Sequence, residues 1–325
     1  MKRFLKISFC ILMAITTCFS LVACGDGNGD TDASTGMAIR KSAGAYIVKD
    51  YVKEVDANGA TVTELVISGE TVATAYGTTY ADEEISISEN AFKGNTSIKK
   101  LTVTSDVVKI GKGAFAGMTA LEELVLPFAG SKIGAVNEER LIGYLFGSEA
   151  YDEGISVTQT VSGDLGVAGE TPTTATYYMP ISLKTIEIKY EGSEDYVLPQ
   201  YTFSGIYSAL RTVKLSGNIT EIGTGAFYGS SVKNITLPET VTKIGNDAFN
   251  NCALLTAIAL HEGITELGDR AFKGFKGTTM LFPNSLTKIG AECFIESELK
   301  KINRELDTFA EIGKWAFEGL TLEKI

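Results

Sequence analysis

Phenylalanine returns along this chain at residues 92, 115, 146, 203, 227, 249, 272, 294 and 317, in steps of 23, 31, 57, 24, 22, 23, 22 and 23. Apart from two long steps the period is close to 23. Ala precedes the Phe at 91, 114, 226, 248, 271 and 316, and Gly follows two residues after it at 94, 117, 205, 229, 274 and 319. A unit this short cannot bury its own aromatic ring and strand residues, so units must stack and share one continuous core. A repeat of this length leaves no room for the two alternating α/β lobes of a solute binder.

The rest of the unit is equally regular. An Ile-Gly or Leu-Gly pair stands ahead of the Phe at 110/111, 222/223, 244/245, 267/268, 289/290 and 312/313. After the Phe comes a short alternating run, Leu121-x-x-Leu124-x-Leu126-Pro127, repeated as Val232-x-x-Ile235-x-Leu237-Pro238 and Leu255-x-x-Ile258-x-Leu260. Alternation means a strand with one buried and one solvated face. The small Ala lets the Phe pack against the neighbouring unit, and the Gly supplies a left-handed turn. Asn251 suits that turn position, and Glu296 suits it less well.

These residues resemble the BspA-type leucine-rich repeat of bacterial surface proteins, most plainly in the unit from Val241 to Leu260. The resemblance spans about residues 85–325. It implies a repeat solenoid, a right-handed curved stack with a parallel β-sheet on one face. It also implies an extracellular protein, and it offers no catalytic residues to carry over.

Two regions depart from the array. Phe146 sits in an imperfect unit with Ile142-Gly143 one residue closer than usual, and the pattern resumes only at Leu183-x-x-Ile186-x-Ile188. The insertion at about 147–178 is expected to project from one face, where such segments often carry binding. Residues 44–84 are expected to form an N-terminal β cap, with a hairpin between Tyr46 and Ser68 turning at Asn58-Gly59. At the other end Leu322 and Ile325 fall on strand positions of the last unit. That open coil is a possible surface for self-association.

Lys2, Arg3 and Lys6 precede an apolar run from Ile7 to Ala23, the pattern of a secretory signal peptide over 1–23. Leu21-Val22-Ala23-Cys24 resembles the lipobox of bacterial lipoproteins, which implies a lipidated Cys24 and membrane attachment through that lipid. Residues 24–43 read as a flexible tether, rich in Gly, Asp, Ser and Thr at its start. Once the first segment is removed, 26 basic residues face 40 acidic ones, a formal charge of −14. That balance disfavours nucleic acid as a partner, because phosphate neutralisation needs Lys and Arg.

Chemistry is scarce. His261 is the one histidine and stands where Pro127 and Pro238 stand in other units, a turn position. Neither a Ser-His-Asp nor a Cys-His arrangement has the residues it needs, and no metal site or cofactor is expected. Cys252 and Cys293 read as unbridged, with Cys293 a small buried apolar residue. The expectation is a non-enzymatic protein. Its candidate ligand-binding face comprises the outward strand residues Lys100, Thr102, Glu123, Val125, Glu187, Lys214, Asn234, Thr236, Ala259 and Leu281, with Thr185, Thr212, Ala257 and Thr279 beside them. The ligand expected there is an extracellular protein or glycan. The alternative is a structural component of the cell envelope that assembles through the C-terminal coil.

Overall fold

The computed structural model describes residues 30–31, 37–42, 45–51, 60–79, 83–163 and 171–325. The signal segment, Cys24 and Asn58-Gly59 lie outside the described residues. The chain winds through about ten turns of a parallel β-solenoid. Each ordinary coil contributes a leading strand that ends at the Ile-Gly pair, a turn carrying the Phe, and a trailing strand. Leading strands pair with leading strands, and trailing with trailing.

The trailing strands Glu64–Ile67, Lys100–Val103, Glu123–Leu126, Thr185–Tyr190, Thr212–Gly217 and Asn234–Thr236 build one six-stranded sheet, in parallel register throughout. Coils eight to ten add a separate sheet from Thr279–Met280, Lys301–Ile302 and Glu323–Lys324. The leading strands likewise divide. Ala45–Tyr51, Glu84–Ile87 and Val107–Ile110 belong to one sheet. Tyr196–Leu198, Ile219–Ile222, Lys243–Ile244, Glu266–Leu267, Lys288–Ile289 and Glu311–Ile312 form another.

The expected core is present, with Phe92, Phe115, Phe146, Phe203, Phe227, Phe249, Phe272 and Phe294 all buried in one cluster that runs the length of the array. Their rings form a column. From Phe203 through 227, 249, 272 and 294 to 317, successive centroids lie 5.0, 5.2, 5.3, 5.5 and 5.2 Å apart with nearly parallel planes. Earlier pairs are looser: Phe92 to Phe115 is 6.0 Å at 48° and Phe115 to Phe146 is 6.1 Å at 63°. The predicted left-handed turn holds at Asn251 (φ 57°) and even at Glu296 (φ 61°). A second left-handed position, two residues before the Phe, was not anticipated; Asn90, Tyr201, Asp247, Arg270, Glu292 and Trp315 all occupy it.

The N-terminal segment is built differently from the expected hairpin. Ala45–Tyr51 pairs antiparallel with Met37–Ser42, and Glu64–Ile67 joins the trailing sheet instead. Asp30–Thr31 in turn pairs antiparallel with Met37–Ser42, so strands of this sheet already lie inside the stretch assigned to the tether. The reason is that Ala45–Tyr51 and Glu64–Ile67 are themselves the leading and trailing strands of the first coil. Tyr51 takes the place of the Phe, its N–H donating to Ala91 O (2.9 Å) and its ring stacking 5.5 Å from Phe92. The chain then passes from the trailing sheet to the second coil through the helix Gly69–Tyr76, opened by a capping box between Ser68 and Thr71.

Candidate binding face

Parallel register turns scattered polar residues into rows, because neighbouring strands lie about 4.8 Å apart and equivalent side chains point the same way. On the six-stranded trailing sheet one row runs Glu64, Lys100, Glu123, Thr185, Thr212, Asn234, and the next runs Val66, Thr102, Val125, Glu187, Lys214, Thr236. Eight of the expected face residues thus share one surface. Lys100 pairs with Glu123 at 3.1 Å, and Ser216 donates to Glu187 at 2.9 Å. Lys214, Asn234 and Thr236 are exposed.

Three expectations on this face need correction. Val125 is buried, at 9% exposure, where it was expected to face solvent. It is flanked in register by Thr102 and Glu187 on the two neighbouring strands. Ala259 and Ala257 are exposed, but residues 255–260 form no strand. Alanine is a weak strand former with little surface for cross-strand packing, and the ladder stops there. Leu281, 58% exposed, consequently lies beyond the separate three-stranded sheet and not on the six-stranded one.

The insertion is not a free projection. Gly154–Ser162 and Thr173–Pro180 form an antiparallel hairpin whose inner residues Val157, Gln159, Val161, Tyr177 and Met179 are buried. Gln159, fully buried, bridges two coils: Gly143 N–H donates to its Oε1 (2.7 Å) and its Nε2 donates to Thr202 O (2.8 Å). Thr160 N–H donates to Ser204 Oγ at 3.0 Å. Gly143 has no side chain for a reason, since a Cβ would run into the Tyr177 ring and Gln159. What the hairpin exposes is a hydroxyl-rich face of Ser156, Thr158, Thr174 and Thr176.

The leading sheet holds a pattern not anticipated from the repeat. Glu221, Lys243, Glu266, Lys288 and Glu311 stand in register on successive coils, alternating in charge. The gaps between neighbouring charges are 3.7, 4.0, 3.5 and 4.0 Å. The signal was readable, because each of these residues directly precedes the Ile or Leu of the Ile-Gly pair.

No arrangement suited to covalent chemistry assembles among the described residues. His261 Nδ1 accepts from Gly263 N–H (3.0 Å) and fastens its own turn. Cys252 and Cys293 are free and buried, and desolvation pushes the Cys252 thiol up to about 12 and that of Cys293 up as well. The acidic pair Glu138 and Glu139 accepts from Tyr177 and Ser131 hydroxyls, and no group of three or more metal-ligating side chains occurs among the described residues. No helix among them is long and apolar enough to cross a membrane.

Comparison with known proteins bears on the fold. The model of the BspA type leucine rich repeat region matches in six copies, over residues 79–136 and 176–325. A leucine rich cell surface protein from Faecalibacterium prausnitzii A2-165 is 16% identical, with 87% of this chain and 97% of that chain covered and a TM-score of 0.36. A leucine-rich repeat protein from Bacteroides ovatus ATCC 8483 is also 16% identical, covering 89% and 98%, with a TM-score of 0.34. The T. pallidum leucine rich repeat protein is 21% identical over 40% of this chain and 68% of its own length, with a TM-score of 0.34. Among curated protein sequences, none is similar to this chain.

Proposed function

This chain belongs to the BspA-type leucine-rich-repeat family, and from that premise we propose that it is a lipid-anchored cell-surface protein that holds an extracellular protein or glycan on its trailing-strand sheet. The observation that carries this reading is the six-stranded registered face, where rows of Lys, Glu, Thr and Asn offer hydrogen bonds at strand spacing. Such a face suits an extended or repetitive ligand, because successive groups meet successive coils. The scaffold is of a kind that ordinarily binds and does not catalyse. The lipid on Cys24 accounts for the polar segment that follows it, which gives the array reach from the membrane.

The test is cross-linking of the intact protein on cells, with mass spectrometry of the captured partners. The variant Lys214→Glu with Asn234→Ala and Thr236→Ala is expected to lose the partner that the parent retains, while circular dichroism stays unchanged. Equal retention by parent and variant removes the trailing face from the reading. A Cys24→Ser variant that still incorporates labelled fatty acid removes the anchor.

A second reading, an envelope assembly component, is favoured by the exposed Ile312, Trp315 and Ile325 of coil ten. It requires concentration-dependent association in sedimentation, lost with Trp315→Ser.

A further inference from the structure

A cleft of about 270 Å3 opens off the trailing face, where the chain leaves that sheet after the strands Lys100–Val103, Glu123–Leu126 and Thr185–Tyr190 of coils two, three and four. Its floor is aromatic: Phe128 is almost fully buried, and Tyr190, 7% exposed, stacks on Tyr196 at 4.7 Å. Its walls are apolar and open to solvent, with Val108 40% and Ile133 54% exposed. Ile133 and its neighbour Lys132 ride on a loop tied shut at its neck. Ser131 N–H donates to Glu139 O (2.7 Å), Ser131 Oγ donates to the Glu139 carboxylate (3.0 Å), and Ile110 N–H donates to Ser131 O (2.7 Å). The loop is therefore held over the cleft and is not free to collapse into it.

The charges at the rim are unequal. Glu191 is engaged, 2.7 Å from Lys189 and 3.5 Å from the Ser105 hydroxyl. Lys132 is exposed and forms no ion pair among the described residues. In a chain of formal charge −11, this cleft thus offers an apolar floor beside one uncompensated ammonium group. Long-range repulsion of an anion by the remaining charge is screened beyond about 8 Å at physiological salt, so the local cation sets the preference. A cleft with apolar walls and few polar groups is the ordinary form of a side-chain-sized binding site.

We propose that this cleft binds an extended segment of a partner protein that presents a large apolar side chain next to a carboxylate. The apolar side chain covers Phe128 and Tyr190 between Val108 and Ile133, and the carboxylate meets Lys132. The site is separate from the trailing-strand rows, so it stands or falls independently of the reading above.

The probe is the capped dipeptide acetyl-Phe-Asp-amide, titrated into the full-length protein with methyl groups followed by NMR. Saturable shifts are expected at Ile133 and Val108. Replacing the probe by acetyl-Phe-Asn-amide, or the protein by Lys132→Gln, is expected to weaken binding about threefold, the scale of one exposed ion pair. Acetyl-Gly-Asp-amide is expected to bind about tenfold more weakly or worse, having lost the apolar side chain. Lys132 lies on an exposed loop, and unchanged methyl shifts elsewhere verify that the variant is folded. Equal binding of the Asp and Asn probes overturns the proposal, as does the absence of any saturable shift at Ile133 and Val108 with millimolar probe.

Discussion

Coil four and coil seven are both places where a sheet is cut, and they are cut on opposite sides. In coil four the leading strand is missing, replaced by the 3-10 turns Asn137–Arg140 and Ile142–Leu145, while the trailing ladder from Glu123–Leu126 to Thr185–Tyr190 is unbroken. In coil seven the trailing strand is missing, while the leading ladder through Lys243–Ile244 is unbroken. A stack in which each coil touches only its neighbours fails at its weakest junction. Staggering the two cuts leaves one continuous sheet across every junction.

The compensation also differs. Coil four recruits a hairpin as a wedge, and the hydrogen bonds of Gln159 substitute for direct contact between Phe146 and Phe203. Coil seven recruits nothing new; the stacked rings of Phe227, Phe249 and Phe272 and the alternating charges around Lys243 carry the junction. The tilted pair Phe115–Phe146 and the hairpin insertion gather at coil four, whereas the units from Lys243 onward have two-residue strands and nearly parallel rings. Irregular unit length is what makes room for a wedge and a cleft.

The sharpest way to break this comparison is Phe249→Ala. Truncating a buried Phe costs about 3–5 kcal/mol, and here it removes the main link across coil seven. Calorimetry is expected to show coils eight to ten melting apart from the rest. A single transition lowered by under about 1 kcal/mol contradicts that account. A smaller effect is expected at coil four, where Gln159→Ala leaves the Gly143 N–H without its partner and the Thr202 carbonyl with the Ile142 N–H alone, at about 1–3 kcal/mol. Hydrogen exchange is expected to rise at Gly143 and along the hairpin, with coils six to ten unaffected; uniform acceleration along the whole chain counts against a local wedge. Smallest is Lys243→Glu, which sets three carboxylates in register. Its cost is expected to be about 1 kcal/mol in dilute buffer and to shrink in molar salt. A salt-independent cost identifies packing, not charge, as the cause.

Much of this was legible in the sequence because it repeats. The Phe period fixed the coil, and the alternation after each Phe placed Lys100, Glu123, Glu187 and Lys214 on one sheet. What escaped was set by neighbours far away in sequence. Val125 alternates like an exposed residue and is nonetheless buried between the strands one coil to either side. Leu255-x-x-Ile258-x-Leu260 has the strand pattern, yet Ala257 and Ala259 give it nothing to pair with. The hairpin strands read as a projecting insertion, since Gln159 is polar and its burial depends on two backbone groups that only the fold brings together. Tyr51 in the first coil lacked the Ala and Gly that mark its successors.

The alternation of Glu221, Lys243, Glu266, Lys288 and Glu311 has a consequence for how such an array changes length. Duplicating one coil, or deleting an interior one, brings two carboxylates or two ammonium groups into adjacent positions, whereas copying coils in pairs preserves every opposite-sign contact. The unit that can be copied without disturbing this ladder is therefore the two-coil block of about 45 residues, twice the length of the structural repeat.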